Sequence, residues 1–188
     1  MSPLKIENEL HSQIVAAARS WIGTPYVHQA ATKGAGCDCL GLVRGVWREV
    51  MGSEPETPPP YTRDWAERKR EETLRDAASR HMDPVPIDQA GPGDVLLFAF
   101  KTNLPAKHCA ILTTAIDDPA PRIIHAHERL PVAEVALVPG WRRKIRFAFG
   151  FPGVSDLSSR ADRPAGCPPD GADHQVRRPV GLAEPEVP

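Results

Sequence analysis

Gly36-Cys37-Asp38-Cys39-Leu40-Gly41-Leu42-Val43-Arg44-Gly45-Val46-Trp47 is the stretch around which the rest of the 188-residue chain organises. Leu42, Val43, Val46, Trp47 and Val50 fall on one stripe at helical spacing, and Asp38 is a good N-cap. The pattern predicts a helix from Asp38 or Cys39 to about Val50, entered from the glycine-rich loop Gly34-Ala35-Gly36. Cys39 then stands in the first turn, where unpaired N–H groups and the helix dipole favour an anion, so its thiol should ionise readily. That suits a nucleophile. An inert buried thiol is the other reading, common for free cysteine, and the local sequence leaves both open.

Upstream, Ile6, Leu10, Ile14, Ala17, Ala18, Trp21 and Ile22 predict a helix over 6–22, stopped by Gly23-Thr24-Pro25. Residues 23–37 read as loop. Downstream, Pro55 and Pro58-Pro59-Pro60 make a stiff connector, and a more polar helix is expected from about Asp64 to Ala78. The character then changes. The turn Gly91-Pro92-Gly93-Asp94 leads into a strand over 95–100, followed by short strands over 108–112 and 122–126. Ile145, Phe147, Phe149 and Phe151 alternate, which predicts a half-buried final strand. Helices first and antiparallel strands second is an α+β order.

The strands carry the bases that a thiol nucleophile needs. His108 opens a strand after a polar stretch, and a histidine at a strand mouth can reach a helix end as general base. His125 lies at the end of the next strand, within Ile124-His125-Ala126-His127. If the two strands pair, both imidazoles share one edge and His125 orients His108. Cys109 follows His108 directly, points to the other face and reads as core. His127 shares the face of His125 only if the strand continues. Cys37 lies in the loop, and Cys167 has no assigned role. The same Cys and His residues are numerous enough for zinc. Their spacings are C-x-C, H-C and H-x-H, however, rather than the paired spacings of structural zinc sites, so cysteine catalysis is preferred and no metal or cofactor is expected. Arg142, Arg143, Lys144 and Arg146 beside Trp141 read as the solvated start of the last strand rather than an anion site. Tyr61 and Trp65 either cover the site or pack the connector.

Composition narrows the remaining classes. With 23 Lys+Arg against 24 Asp+Glu, the net charge of −1 gives no support for nucleic-acid binding. No apolar run approaches the roughly 18–20 residues of a membrane span. The first nine residues lack the basic-then-apolar layout of a signal peptide, so synthesis in the cytoplasm without a signal peptide is expected. Four cysteines are too few for a disulfide scaffold. All 11 aromatics precede residue 152, while six of the 21 prolines lie in 154–188. Residues 1–153 are therefore read as the folded domain and 154–188 as a proline-rich, flexible tail.

Thr24-Pro25-Tyr26, the run from Gly36 to Val43, Gly93-Asp94-Val95, His108-Cys109-Ala110-Ile111 and Ile124-His125-Ala126 follow the motif order of NlpC-type cell-wall peptidases. The resemblance covers about residues 10–153. It is greatest to the branch found in phage tails and gene transfer agents, which carries a similar Pro-Tyr-x-His-Gln stretch, the Cys-Asp-Cys-Leu-Gly-Leu-Val-Arg-Gly-Val-Trp run and a Phe-rich last strand. The resemblance implies a papain-like fold and hydrolysis of peptidoglycan stem peptides, usually between D-glutamate and a diamino acid. It implies Cys39 as nucleophile, His108 as general base and acid, His125 as orienting residue, and Tyr26 with the Cys39 N–H as oxyanion support. It further implies phage-like tail or baseplate proteins as partners and action in the periplasm or cell wall. Leu40 stands where many members carry Ser, and His28-Gln29-Ala30 replaces a common Gly-Gly pair. A cytoplasmic amidase acting on wall-peptide fragments and a structural tail protein with a vestigial site are the alternatives.

Overall fold

The computed structural model describes residues 3–62 and 70–153. The expected tail and the start of the polar helix, with Trp65, lie outside those residues. α1 spans Pro3–Arg19 and α2 spans Cys39–Val50. A third helix, α3, runs over Thr73–His81, so the polar helix expected from about Asp64 to Ala78 is absent over 70–72, where Arg70 takes φ 54°, and ends three residues later than its sequence suggests. α1 stops before Ile22 because Gly23 takes φ 88°, and Ile22 is left exposed. The predicted loop over 23–37 contains a small hairpin of β1 (Ala31–Thr32) and β2 (Gly36–Cys37).

Six further strands form one sheet: β3 (Asp83–Val85), β4 (Val95–Phe98), β5 (His108–Leu112), β6 (Arg122–His125), β7 (Ala133–Ala136) and β8 (Ile145–Gly150). Their spatial order is β3-β8-β4-β5-β6-β7, and every neighbouring pair is antiparallel. This is the α+β arrangement anticipated from the order of elements. β3 and β7 sit at the two edges. Pro84 is tolerated in β3 because an edge strand has a side without ladder bonds.

Both faces of the sheet are buried. Val95, Leu97, Cys109, Ile111, Ile124 and Phe149 pack with Ile14, Ala18, Leu42 and Val46 of α1 and α2. Leu96, Phe98, Ala110, Leu112, Ile123 and Ala148 pack with Ile116, Leu137 and Trp141 on the far side. The expected alternation of the last strand breaks at its start. The β4–β8 register shifts between Leu97 and Phe98, which pair with Phe147 and Ile145 respectively. One extra residue, Arg146, is accommodated there as a bulge. Ile145 therefore joins the far-side cluster while Phe147, Phe149 and Phe151 face the helices.

Polar ties hold α1 to the sheet edge and to α2. Arg19 donates from Nε and from its terminal nitrogen to the two oxygens of Glu134, both at 3.0 Å, and Thr113 Oγ1 donates to Glu134 at 2.8 Å. Those donors and Arg122 hold the Glu134 carboxyl down at about 2. Trp21 Nε1 donates to Glu49 at 2.9 Å, joining the end of α1 to α2. The two helices meet where Gly45 leaves no room for a side chain, since a Cβ there would lie 2.0 Å from the Trp21 ring.

Candidate active site

α2 begins at Cys39 because Asp38 ends the preceding extended segment and caps the helix. Its backbone is extended (φ −101°, ψ −172°), and its Oδ1 accepts from the Gly41 N–H at 2.8 Å. The carboxylate is buried and holds the chain on both sides of the helix start. Oδ2 accepts from the Gln29 N–H at 2.7 Å and from the Tyr61 hydroxyl at 2.7 Å. The connector is clamped from below as well. His28 Nε2 lies 3.0 Å from the Tyr61 carbonyl oxygen, and Gln29 Nε2 donates to the same oxygen at 2.6 Å. Tyr61 therefore packs over the loop ahead of Cys39, held by His28 and Gln29, the residues that stand in place of the Gly-Gly pair. Burial, followed by the bond to Asp38, pushes the Tyr61 phenol up, so it remains a donor.

The strands deliver the histidines. Ile111 pairs with Ile124 and Leu112 with Ile123, and continuing that register sets His127 opposite His108 with His125 one step inward. His108 Nε2 lies 3.0 Å from His125 Nδ1, and both rings are buried. His127 stays close without entering that bond, its ring 5.9 Å from His108 and 5.8 Å from His125. Its Nδ1 faces the Glu128 carbonyl oxygen at 3.3 Å.

A tryptophan that sequence patterning did not place in the site closes it. The helix α4 (Pro139–Arg142) sets the Trp141 ring 5.4 Å from His108 and 5.2 Å from His125. Phe98 and Phe100 complete an aromatic wall, 5.8 Å and 6.0 Å from His108. The only cue in sequence is the position of Trp141 beside the basic run. Within that run Arg142, Arg143 and Arg146 are exposed as expected, but Lys144 is half-buried, its ammonium 5.1 Å from the Phe100 ring and 5.4 Å from that of Trp141.

Cys39 is partly exposed, whereas Cys37 and Cys109 are buried. Hydrogen bonding from the Cys109 thiol, with the charge and hydrogen bonding of His108, pulls the Cys39 thiol well below its ordinary value despite burial. Burial pushes Cys37 up to about 12, the neighbouring Asp38 and Cys39 adding to it, so Cys37 stays a neutral thiol. Burial also lowers His125 to about 4, aided by the charges of His108 and His127. Near neutral pH His125 is then uncharged. It can accept the Nε2 proton of His108, which turns the other nitrogen of His108 toward the thiol. Cys39, His108 and His125 thus come together in one arrangement. Tyr26 is half-buried on the segment that bridges to Cys37, two residues before Cys39. Cys109 faces the helices, as its strand position requires, and is buried in the core there. Among the described residues, no group of three or more His, Cys, Asp or Glu side chains has the geometry to hold a metal ion.

A cavity of about 430 Å³ lies beside this site, between α2, α3 and the proline connector. Leu40, Tyr61 and Cys109 line it, whereas Cys39, His108 and His125 do not.

Residues 23–142 match the sequence pattern of the NlpC/P60 family. Among solved structures, the fold is similar to the NlpC/p60 domain of the peptidoglycan hydrolase SagA, with a TM-score of 0.52 and 24% identity over 75% of this chain and 98% of that one. It is also similar to a lipoprotein-like NLP/P60-family protein from Staphylococcus aureus subsp. aureus Mu50, with a TM-score of 0.52 and 20% identity over 76% of this chain and 41% of that one. A comparison with curated proteins found no match.

Proposed function

The chain belongs to the NlpC/P60 family of peptidoglycan hydrolases, and from that premise we propose that it is a cysteine peptidase cutting peptidoglycan stem peptides between D-glutamate and the diamino acid. The observation that carries the reading is the conjunction of an ionisable thiol at a helix N-terminus with a histidine pair 3.0 Å apart. The Cys39 thiolate attacks the scissile carbonyl carbon, forming the S–C bond as the carbonyl π electrons move to oxygen. The N–H of Cys39, which has no intrahelical partner at this position, and the Tyr26 hydroxyl hold that oxyanion. His108 gives its proton to the leaving amine as the C–N bond breaks, leaving a thioester. It then takes a proton from water, whose oxygen displaces the thiolate and releases the carboxylate. His125 holds the imidazole in place through both half-reactions.

The place of action is part of the proposal: the enzyme is a component of a phage-like tail or gene transfer agent particle, acting on the wall from outside the cytoplasm. The Pro25-Tyr26-Val27-His28-Gln29 stretch, the run from Cys37 to Trp47 and the Phe-rich β8 support that branch. No described helix is long and apolar enough to cross a membrane.

The bond is tested by digesting purified peptidoglycan and analysing the product masses. The reading requires fragments ending in D-glutamate and fragments with a newly exposed amino group on the diamino acid. Cleavage at another stem-peptide bond overturns the bond assignment. Detection of the chain by peptide mass spectrometry in purified particles supports the tail assignment, and its absence from them overturns it.

A further inference from the structure

The basic run beside Trp141 is more than the solvated strand start that its sequence suggests. Lys101, Lys107, Arg142, Arg143, Lys144 and Arg146 stand on two segments, 98–108 and 138–147, that contain no Asp or Glu. The fold joins these segments where β4 ends and β5 and β8 begin. The Ala99 N–H donates to the Lys144 carbonyl oxygen at 2.9 Å, and the Arg146 guanidinium donates to the carbonyl oxygen of Thr102. Six cations thus gather at one end of the sheet in a chain whose net charge is −1. Among the described residues, Lys101, Arg142, Arg143, Lys144 and Arg146 form no ion pair. Lys144 differs from the arginines in being half-buried, with its Nζ 5.1 Å from the Phe100 ring and 5.4 Å from the Trp141 ring. Lys107 Nζ lies 5.9 Å from the same Phe100 ring. Ring faces attract an ammonium but replace its lost water only in part, and two like charges on one ring repel. An anion placed there relieves both costs.

We propose that Lys144 is a specificity-determining residue, its ammonium binding a free carboxylate on the fragment that leaves the site. The proposal rests on the peptidase reading above. His108 gives its proton to the leaving amine, so the fragment bearing that amine runs along the rings packed on His108. Phe100 and Trp141 are such rings, 6.0 Å and 5.4 Å from His108, and both are partly exposed. His108 and the Lys144 ammonium each stand 5.4 Å from the Trp141 ring. The step from one to the other is therefore no more than about three extended residues. Two carboxylates of a stem peptide fall within that span on the leaving side. One is on the side chain of a dicarboxylic diamino acid, and the other is at the C-terminus.

The test is steady-state hydrolysis by the full chain of four synthetic peptides, L-Ala-γ-D-Glu-diamino acid-D-Ala. The diamino acid is diaminopimelate or lysine, and the C-terminus is free or amidated. In the wild type, removing the carboxylate that Lys144 binds should raise KM about tenfold with kcat little changed, and the peptide pair that shows this identifies the source. Lys144→Met keeps a flexible apolar stem over the rings without the charge. It should raise KM about tenfold on peptides carrying that carboxylate and leave the others unchanged. Lys144→Arg should keep the preference. Equal losses on all four peptides in Lys144→Met reduce Lys144 to support of the ring wall and overturn the proposal. A wild type that cuts all four alike also overturns it, and the peptidase reading stands in both cases. A KM that responds only to amidation of the D-glutamate α-carboxyl places the cation beside the acyl group and overturns it too. Absence of cleavage of every peptide overturns the peptidase reading and the proposal with it.

Discussion

His108 Nε2 and His125 Nδ1 lie 3.0 Å apart across two antiparallel strands, and one of the two nitrogens must donate while the other accepts. Burial assigns the roles. With His125 lowered to about 4, the third residue is a neutral acceptor at the pH where the enzyme would work. It stays one when His108 becomes an imidazolium. A neutral acceptor orients the base without competing with the thiolate for its charge.

His125→Leu removes that acceptor, and kcat/KM on a wall peptide should fall roughly 10²-fold with KM little changed. His125→Asn, whose side-chain oxygen can accept the same bond, should retain most activity. Equal losses in the two variants would contradict the acceptor role. Steady-state kinetics on a synthetic stem peptide measures both.

The same residue makes stability depend on pH. His125 titrates at about 4 when folded against an ordinary value of 6.5, so between these pH values the unfolded state binds more protons. Stability should therefore decline as pH falls from about 6.5 to about 4, by on the order of 3 kcal/mol in all. Glu134, at about 2 when folded, adds its own loss only below its ordinary value of 4.5. Urea unfolding at pH 6.5, 5.5 and 4.5 of the wild type beside His125→Asn reads the share of the histidine as the difference between the two proteins, because the depressed Cys39 thiol and carboxylates contribute to both, and His125→Asn should flatten that interval. A wild type as stable at pH 4.5 as at 6.5 would refute it.

The Asp38 carboxylate ties the start of α2 to the connector. Tyr61→Phe leaves Asp38 its bonds to the Gly41 and Gln29 N–H groups and should cost about 1 kcal/mol. Asp38→Ala removes the cap together with the other two bonds and should cost on the order of 3 kcal/mol. Denaturant midpoints separate these. The larger loss should also slow Cys39 alkylation, because the helix N-terminus beneath the thiol frays.

Gly41 and Gly45 are required by close approaches rather than by backbone freedom. A Cβ at Gly41 would stand 1.9 Å from the Ala30 carbonyl oxygen, and one at Gly45 would stand 2.0 Å from the Trp21 ring. The ring can shift, but the Ala30 backbone is held by the hairpin and by the Asp38 N–H, which donates to its carbonyl oxygen at 3.2 Å. Gly41→Ala should therefore destabilise more than Gly45→Ala, by about 3 kcal/mol or more. Thermal melts of the two variants give the ranking.

What sequence made legible is what periodicity and capping encode. The stripe from Leu42 to Val50 and the cap at Asp38 place α2, and the short apolar runs place β4, β5, β6 and β8. Edge strands were less visible: β3 is three residues with a central proline, and β7 is half-buried Ala-Glu-Val-Ala. The bulge at Arg146 leaves no trace in an alternating Ile-x-Phe-x-Phe pattern, because only the partner strand reveals it. In the site, Cys39, His108 and His125 could be singled out because residue type and element position coincide. Trp141 could not, and Tyr61 could be given only as covering the site or packing the connector, since their contributions come from tertiary contacts between segments far apart in the chain.

The central claim is that Cys39 performs nucleophilic attack on a wall peptide. The most direct measurement is release of new amino groups from purified peptidoglycan by the wild type and by Cys39→Ala, at matched concentration and with matched circular dichroism. The wild type should release them steadily, and the folded variant should release none above background. Equal release by both proteins, or none by the wild type, would contradict the account.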